Sequence, residues 1–299
     1  MKSFFKNIQK HKCLTLMLLP AFIILLLFNI LPMFGIIIAF KNYKFGSIWA
    51  ANWVGFKWFI KFFTGPYFVR LFKNTFLLGF WALVINFPAT IILALMLNEI
   101  KNERFKKLIQ TVTYLPYFIS VVIVVGILKQ FLSLDGIINN LISSLGGEKI
   151  NFLAQPEWYR TIFIGSSMWQ GIGWGTIIYL AALSGVDVQL YEAATIDGAG
   201  RWKKMLHITL PAIVPTICIT FILSVGQILN SDYQKALLLY SPTTLSVADI
   251  FGTYTYREGI ENGNYSYPTA VGLFTSVVSM VFICLANYVS KKCSDTSMF

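Results

Sequence analysis

Six stretches of apolar residues divide the chain: 14–40, 74–97, 108–128, 161–183, 210–229 and 268–289. Each is roughly 20 residues or longer, the length a helix needs to cross the hydrocarbon of a bilayer. None contains an Asp, Glu, Lys or Arg. The pattern predicts an all-α integral membrane protein of six transmembrane helices. Pro32 is expected to bend or interrupt the first and Pro88 to kink the second, and Pro116 lies inside the third.

The polar intervals differ in character. Residues 41–73 alternate Trp53, Phe56, Trp58, Phe59, Phe62 and Phe63 with Lys57 and Lys61. That fits either an amphipathic segment lying on the outer face of the membrane or a plain loop. Residues 98–107 form a short charged loop. Residues 129–160 include an apolar run, 137–145, expected as a short helix, and 230–267 are rich in Tyr, Asn and Ser. Residues 1–13 and 290–299 flank the spans.

Composition agrees with the pattern. Of 299 residues 56% are hydrophobic and 12% charged, against about 25% charged in soluble domains, and the mean hydropathy is +0.66. The net charge of +11 is that of cations set beside apolar runs next to anionic lipid, so membrane lipid is an expected partner and nucleic acid is not. Thirteen of the 24 Lys and Arg fall in the two termini and the intervals 98–107 and 184–209. The remaining eleven are spread over the three other intervals, six of them in 41–73. The positive-inside rule therefore places both termini in the cytoplasm. The first apolar run is too long for a signal peptide and is read as an uncleaved span. The four cysteines have no metal-site spacing, so no metal site and no disulfide framework are expected.

The absences bear on energy supply. Spans without ionisable groups lack the usual machinery of an ion-coupled carrier. No Gly-Lys dipeptide occurs, so there is no phosphate-binding loop. If ATP drives transport, another chain hydrolyses it, and no residue here is assigned a catalytic role. Asp135, Asp232, Asp249, Glu258 and Glu261 lie in outer intervals with no recognisable spacing, which makes a membrane enzyme the weakest reading. An ATP-independent channel or carrier is the second.

The interval 184–209 is the densest in signals. Ser184 and Asp187 are candidate helix starts. Leu190, Ala193 and Ala194 then share a helical face, thinned by the two alanines so that another backbone can approach. Gly198 and Gly200 end the helix, where a left-handed conformation is expected. A second short helix follows with Trp202, Met205 and Leu206 on one face, and Pro211 is expected in the first turn of the next span.

The order Tyr191-Glu192-Ala193-Ala194, then Asp197-Gly198-Ala199-Gly200-Arg201-Trp202, then Leu210-Pro211 resembles the EAA loop of permease subunits of carbohydrate-uptake ABC importers, of the maltose-permease type. The resemblance implies the type I importer permease fold in the cell membrane of a prokaryote. It implies that Tyr191, Glu192, Ala193, Ala194, Asp197, Gly198, Ala199 and Gly200 couple the spans to an ATPase. The partners would be a second homologous permease, two ABC ATPase subunits and an extracytoplasmic solute-binding protein. ATP and Mg2+ would sit in the ATPases, with no cofactor in this chain.

Spans without charge suggest an oligosaccharide or related neutral glycan. Aromatic faces and amides recognise sugars, so Trp169, Gln170, Trp174 and Tyr179 in the fourth span, with Gln227 and Asn230 near the end of the fifth, are candidates for the translocation path. The alternative is that the tryptophans pack against neighbouring helices and Asn230 is interfacial. Gly171, Gly173 and Gly175 permit close helix packing.

Overall fold

The computed structural model describes residues 12–294. Lys2, Lys6 and Lys10 of the N-terminal flank lie outside the described residues. Among these residues the β structure is one isolated bridge, Lys41 with Trp53, and helices dominate. Two compact units share the chain: residues up to Gly65 with Thr255–Leu273, and Pro66–Tyr254 with residues from Phe274 on.

The first unit opens with α1 (Lys12–Leu25), which continues through a π turn (Leu26–Ile30), a turn of α-helix (Leu31–Met33) and a 3-10 stretch (Phe34–Phe40). Pro32 explains the sequence of helix types. It has no N–H to donate four residues back and its ring crowds the carbonyl there, so the ladder widens before it and tightens after it. Every described side chain from residue 16 to residue 34 is exposed in the isolated chain, a surface for lipid or a neighbouring subunit. Residues 41–56 are a loop closed by the bridge. The short helix α2 (Lys57–Thr64) then buries Trp58 and Phe62 and exposes Lys57 and Lys61. Both ammonium groups lie over the Trp58 ring, 5.3 and 5.6 Å from its centroid, so the amphipathic reading of this interval applies to its second half.

The second unit is built on two long helices, α3 (Phe68–Asn98) and α7 (Pro156–Ser184). Both start before the apolar run that announces them, so Arg70, Lys73, Glu157 and Arg160 sit on their first turns. α3 runs unbroken through Pro88. Between them, α4 (Glu103–Tyr114) and α5 (Val121–Phe131) form a pair bent by 99°. Pro116 sits in a 3-10 turn (Leu115–Phe118) and Ser120 caps α5 through the Ile123 amide, so this expected span is two helices. The short helix α6 (Ile137–Ser144) follows.

Past α7 come α8 (Val188–Ile196), α9 (Arg201–Lys204) and α10 (Val214–Gly226). The expectation for Pro211 is corrected here. The helix from Arg201 continues to Ala212, passing Pro211 by way of a π turn (Met205–Thr209), and bends by 60° into α10. Pro215, near the start of α10, occupies the initiating position instead. Then α11 (Tyr233–Leu239) folds back against α7, and α12 (Ser266–Ser294) ends the described chain.

Small residues set the packing. A Cβ at Gly173 would overlap the Thr113 carbonyl, and one at Gly175 would stand 2.8 Å from Thr90 Cγ2, whereas Gly171 has open space. Two of the three glycines therefore let α4 and α3 close on α7. One apolar cluster joins Leu78, Val125, Phe163, Ala236 and Ile250; another, nearer α8, joins Ala94, Tyr179, Leu183 and Ile213. The buried Asp249 pairs with Arg70 at 3.1 Å and accepts from Thr253 at 2.9 Å, while Asn74 Nδ2 donates to the Ser246 and Asp249 carbonyls. These bonds pin residues 246–253 to the start of α3.

Candidate functional site: a capped exposed helix and a cavity between the long helices

Asp187 starts α8: its side chain accepts from the Gln189 amide at 2.9 Å. The break after α7 turns α8 by 71°, away from the direction of the span. At the far end the Gly198 amide donates to the Thr195 carbonyl (3.1 Å) and the Ala199 amide to the Ala194 carbonyl (2.8 Å). Gly198 has φ +73°. That is a Schellman cap, and the left-handed residue it needs is this glycine.

Among the described residues nothing covers the outer surface of α8. Glu192, Ala193 and Asp197 are exposed, and Ile196 is 87% exposed. Ala194 and Ala199 are half-buried beneath them, and Gly200 caps α9. The underside is tied down. The hydroxyls of Tyr191 and Thr209 lie 2.9 Å apart, Lys204 Nζ donates to Thr195 Oγ1 at 2.6 Å, and the Arg201 guanidinium binds both the carboxylate and the carbonyl of Glu99. These bonds tie α8 and α9 to the C-terminal end of α3 and to the π turn before α10, while Glu192, Ala193 and Ile196 stay exposed.

The same unit encloses a cavity of about 530 Å³ between α3, α7 and α10. Phe163, Ser167, Gly175 and Tyr179 line it at intervals of four, eight and four residues along α7, one face of a helix. Of the six path candidates the structure brings Tyr179 and Gln227 to this wall. Tyr179 shares a 2.8 Å hydrogen bond with Thr220. Gln170 instead donates to the Ile119 carbonyl. Trp174 lies flat on Tyr117, centroids 4.6 Å apart, with Phe118 against its edge. Trp169 and Asn230 are exposed and do not line the cavity.

Three lining groups and one neighbour escaped the sequence reading. Asn86 Oδ1 is buried without a hydrogen-bond partner, and Ser167 and Thr220 add hydroxyls. A polar amide in mid-span is a visible signal for the first. Lys235, on α11, is 2% exposed. Its ammonium donates to Ser167 Oγ at 3.0 Å and lies 6.0 Å from the Phe163 centroid. Burial pulls its pKa below the usual lysine value, and the charge of Asp232 acts in the opposite direction. The scattered acidic residues do not converge: Asp249 is taken up by Arg70, Asp135 by Lys149, and the described residues hold no cluster suited to a metal.

Three helices are long and apolar enough to cross a membrane alone and three bent pairs qualify together. With a capped short helix projecting from one end, this is an all-helical membrane protein, and the family and structure matches that follow make it a permease of the type I importer fold. The chain belongs to the family described as binding-protein-dependent transport system inner membrane component, which matches residues 86–295. It is 47% identical to Protein LplB of Bacillus subtilis (strain 168), over 99% of this chain and 94% of that one. It is 48% identical to the polygalacturonan/rhamnogalacturonan transport system permease protein YteP of the same organism, over 97% and 91%. Its fold matches a chain of a bacterial ABC transporter involved in the import of the acidic polysaccharide alginate, with TM-score 0.89, 41% identity and coverage of 98% and 99%. That transporter also has a crystal structure in complex with an alginate pentasaccharide-bound periplasmic protein.

Proposed function

We propose that this permease forms half of the translocation path of an ATP-driven importer for an acidic oligosaccharide, with α8 and the turn at Gly198 as its coupling element. The observation that carries the coupling role is the contrast within one helix: an exposed face of Glu192, Ala193 and Ile196, and an underside bonded through Tyr191 to Thr209. A partner gripping the exposed face moves the foot of α10 with it. The partners are a second, similar permease, two ATPase subunits that hold ATP and Mg2+, and an extracytoplasmic solute-binding protein facing the intervals 129–160 and 230–267. Both termini and the docking loop face the cytoplasm.

Two observations bear on the charge of the glycan. The apolar runs of the spans carry none, which favours a neutral sugar. The Lys235 ammonium reaches the cavity wall from a helix outside the spans, and the names of YteP and the alginate transporter refer to uronic acid polymers. The second pair supports an acidic oligosaccharide.

Affinity purification of the tagged chain from its native membrane tests the reading. A co-purifying ATPase and second permease, with ATP-dependent uptake of trigalacturonate or another uronate oligomer, are expected. Uptake that persists without any ATPase would instead place the chain among channels or secondary carriers.

A further inference from the structure

Lys235 is a buried cation with one hydrogen-bond acceptor. Among the described residues Ser167 Oγ is that acceptor, leaving two ammonium N–H groups without one. The nearest acid in sequence, Asp232, is exposed, lines the same cavity and uses its carboxylate to cap α11 through the Lys235 amide, 3.0 Å away; its charge favours the ammonium from a distance, without a direct ion pair. An isolated buried ammonium is costly unless an anion meets it, and here the groups it touches, Ser167 and Phe163, are part of the cavity wall. A second orphan faces the same cavity further along α3: Asn86 Oδ1, buried and without a partner. An ammonium with no direct ion pair and a carbonyl oxygen that lacks a donor are the complements of a carboxylate and a hydroxyl on one sugar chain.

We propose that Lys235 is the specificity-determining residue of the path, receiving a sugar carboxylate at the end of the cavity remote from the docking helix while Asn86 accepts from a sugar hydroxyl deeper in. The proposal rests on the acidic-oligosaccharide reading above. Ser167 positions the ammonium, and the carboxylate supplies the missing charge as the chain passes.

The test uses the complete complex in proteoliposomes with its own binding protein, and two probes: trigalacturonate and its fully methyl-esterified form. Since the same binding protein serves every variant, the ratio of variant to wild-type uptake for each probe cancels the binding protein's preference. Lys235→Gln should lower trigalacturonate uptake at least tenfold and the ester less than twofold, with Lys235→Arg restoring most of the loss. Ser167→Asp, which gives the ammonium an internal counter-ion, should discriminate against trigalacturonate in the same way and carries the test if Lys235→Gln fails to assemble. Equal losses for both probes, or no loss for either, overturn the carboxylate site while leaving an acidic-glycan importer standing. A wild-type complex whose binding protein takes up neither probe nor any other uronate oligomer removes the acidic reading, and the site falls with it.

Discussion

The hydroxyl of Tyr191 meets the hydroxyl of Thr209 at 2.9 Å, joining the exposed helix α8 to the buried π turn that leads into α10. Thr209 is 1% exposed, so this bond runs from a surface helix straight into the packed part of the unit. A neutral hydrogen bond contributes about 0.5–1.5 kcal/mol, too little to decide folding but enough to change how tightly two moving parts follow each other. Tyr191→Phe should therefore leave membrane abundance unchanged and raise the ATP hydrolysed per sugar transported by up to roughly tenfold. Measured stoichiometry in reconstituted complexes checks this, and an unchanged ratio in both Tyr191→Phe and Thr209→Val would remove the bond from the coupling route.

Gly198 offers a sharper test of the same element. Its φ of +73° and the open space around its Cβ position separate backbone strain from collision within this chain. Valine there meets a penalty of about 1–2 kcal/mol from the left-handed conformation, plus whatever the ATPase surface adds. We expect Gly198→Val to insert at normal levels and to lose uptake together with ATPase co-purification. Glu192→Ala, which removes an exposed carboxylate without touching the turn, should show a weaker version of the same loss. Normal substrate-stimulated hydrolysis in Gly198→Val would show that α8 is not the coupling element.

What the sequence disclosed was local. Twenty apolar residues in a row and a glycine after a capped helix are complete statements within a short window, so the spans and the Gly198 turn could be read directly. Proline effects were legible only in part. That Pro32 and Pro116 disturb a helix follows from the missing N–H, but whether the chain answers with a π turn, as before Pro211, or with a break, as at Pro116, depends on what packs around it. Lys235 was illegible because its burial depends on α11 folding back onto α7, a contact between residues 68 apart. The partner of Trp174 was illegible for the same reason: its ring lies on Tyr117, 57 residues away in the chain.

Topology can be tested by single-cysteine labelling in intact cells. Asn139 is an unsuitable outer site, because it is fully buried and its amide bonds the Ser133 carbonyl and both backbone groups of Ile150. The exposed Glu148 in the same interval and Asn264 should label with an impermeant reagent from outside, and Asp197 only after the membrane is opened. Labelling at 197 in sealed cells would invert the orientation.

The path itself separates residues by what they face. Gln227 lines the cavity, whereas Trp174 stacks on Tyr117 and Phe118 away from the lining residues. Gln227→Ala deletes an amide that a sugar hydroxyl would use, and a lost hydrogen bond to a buried polar partner is worth about 1–3 kcal/mol. Uptake should fall roughly fivefold to a hundredfold, with the complex assembled and its basal ATP hydrolysis intact. Trp174→Ala removes a parallel ring contact worth about 0.5–1.5 kcal/mol, so its first effect should be on the stability of α7 against the Leu115–Phe118 turn, seen as a lower melting temperature in detergent. The two variants should therefore move different readouts. A Trp174→Ala complex of unchanged stability that no longer transports sugar would put the path on the tryptophan side of α7 and take the cavity out of the translocation route.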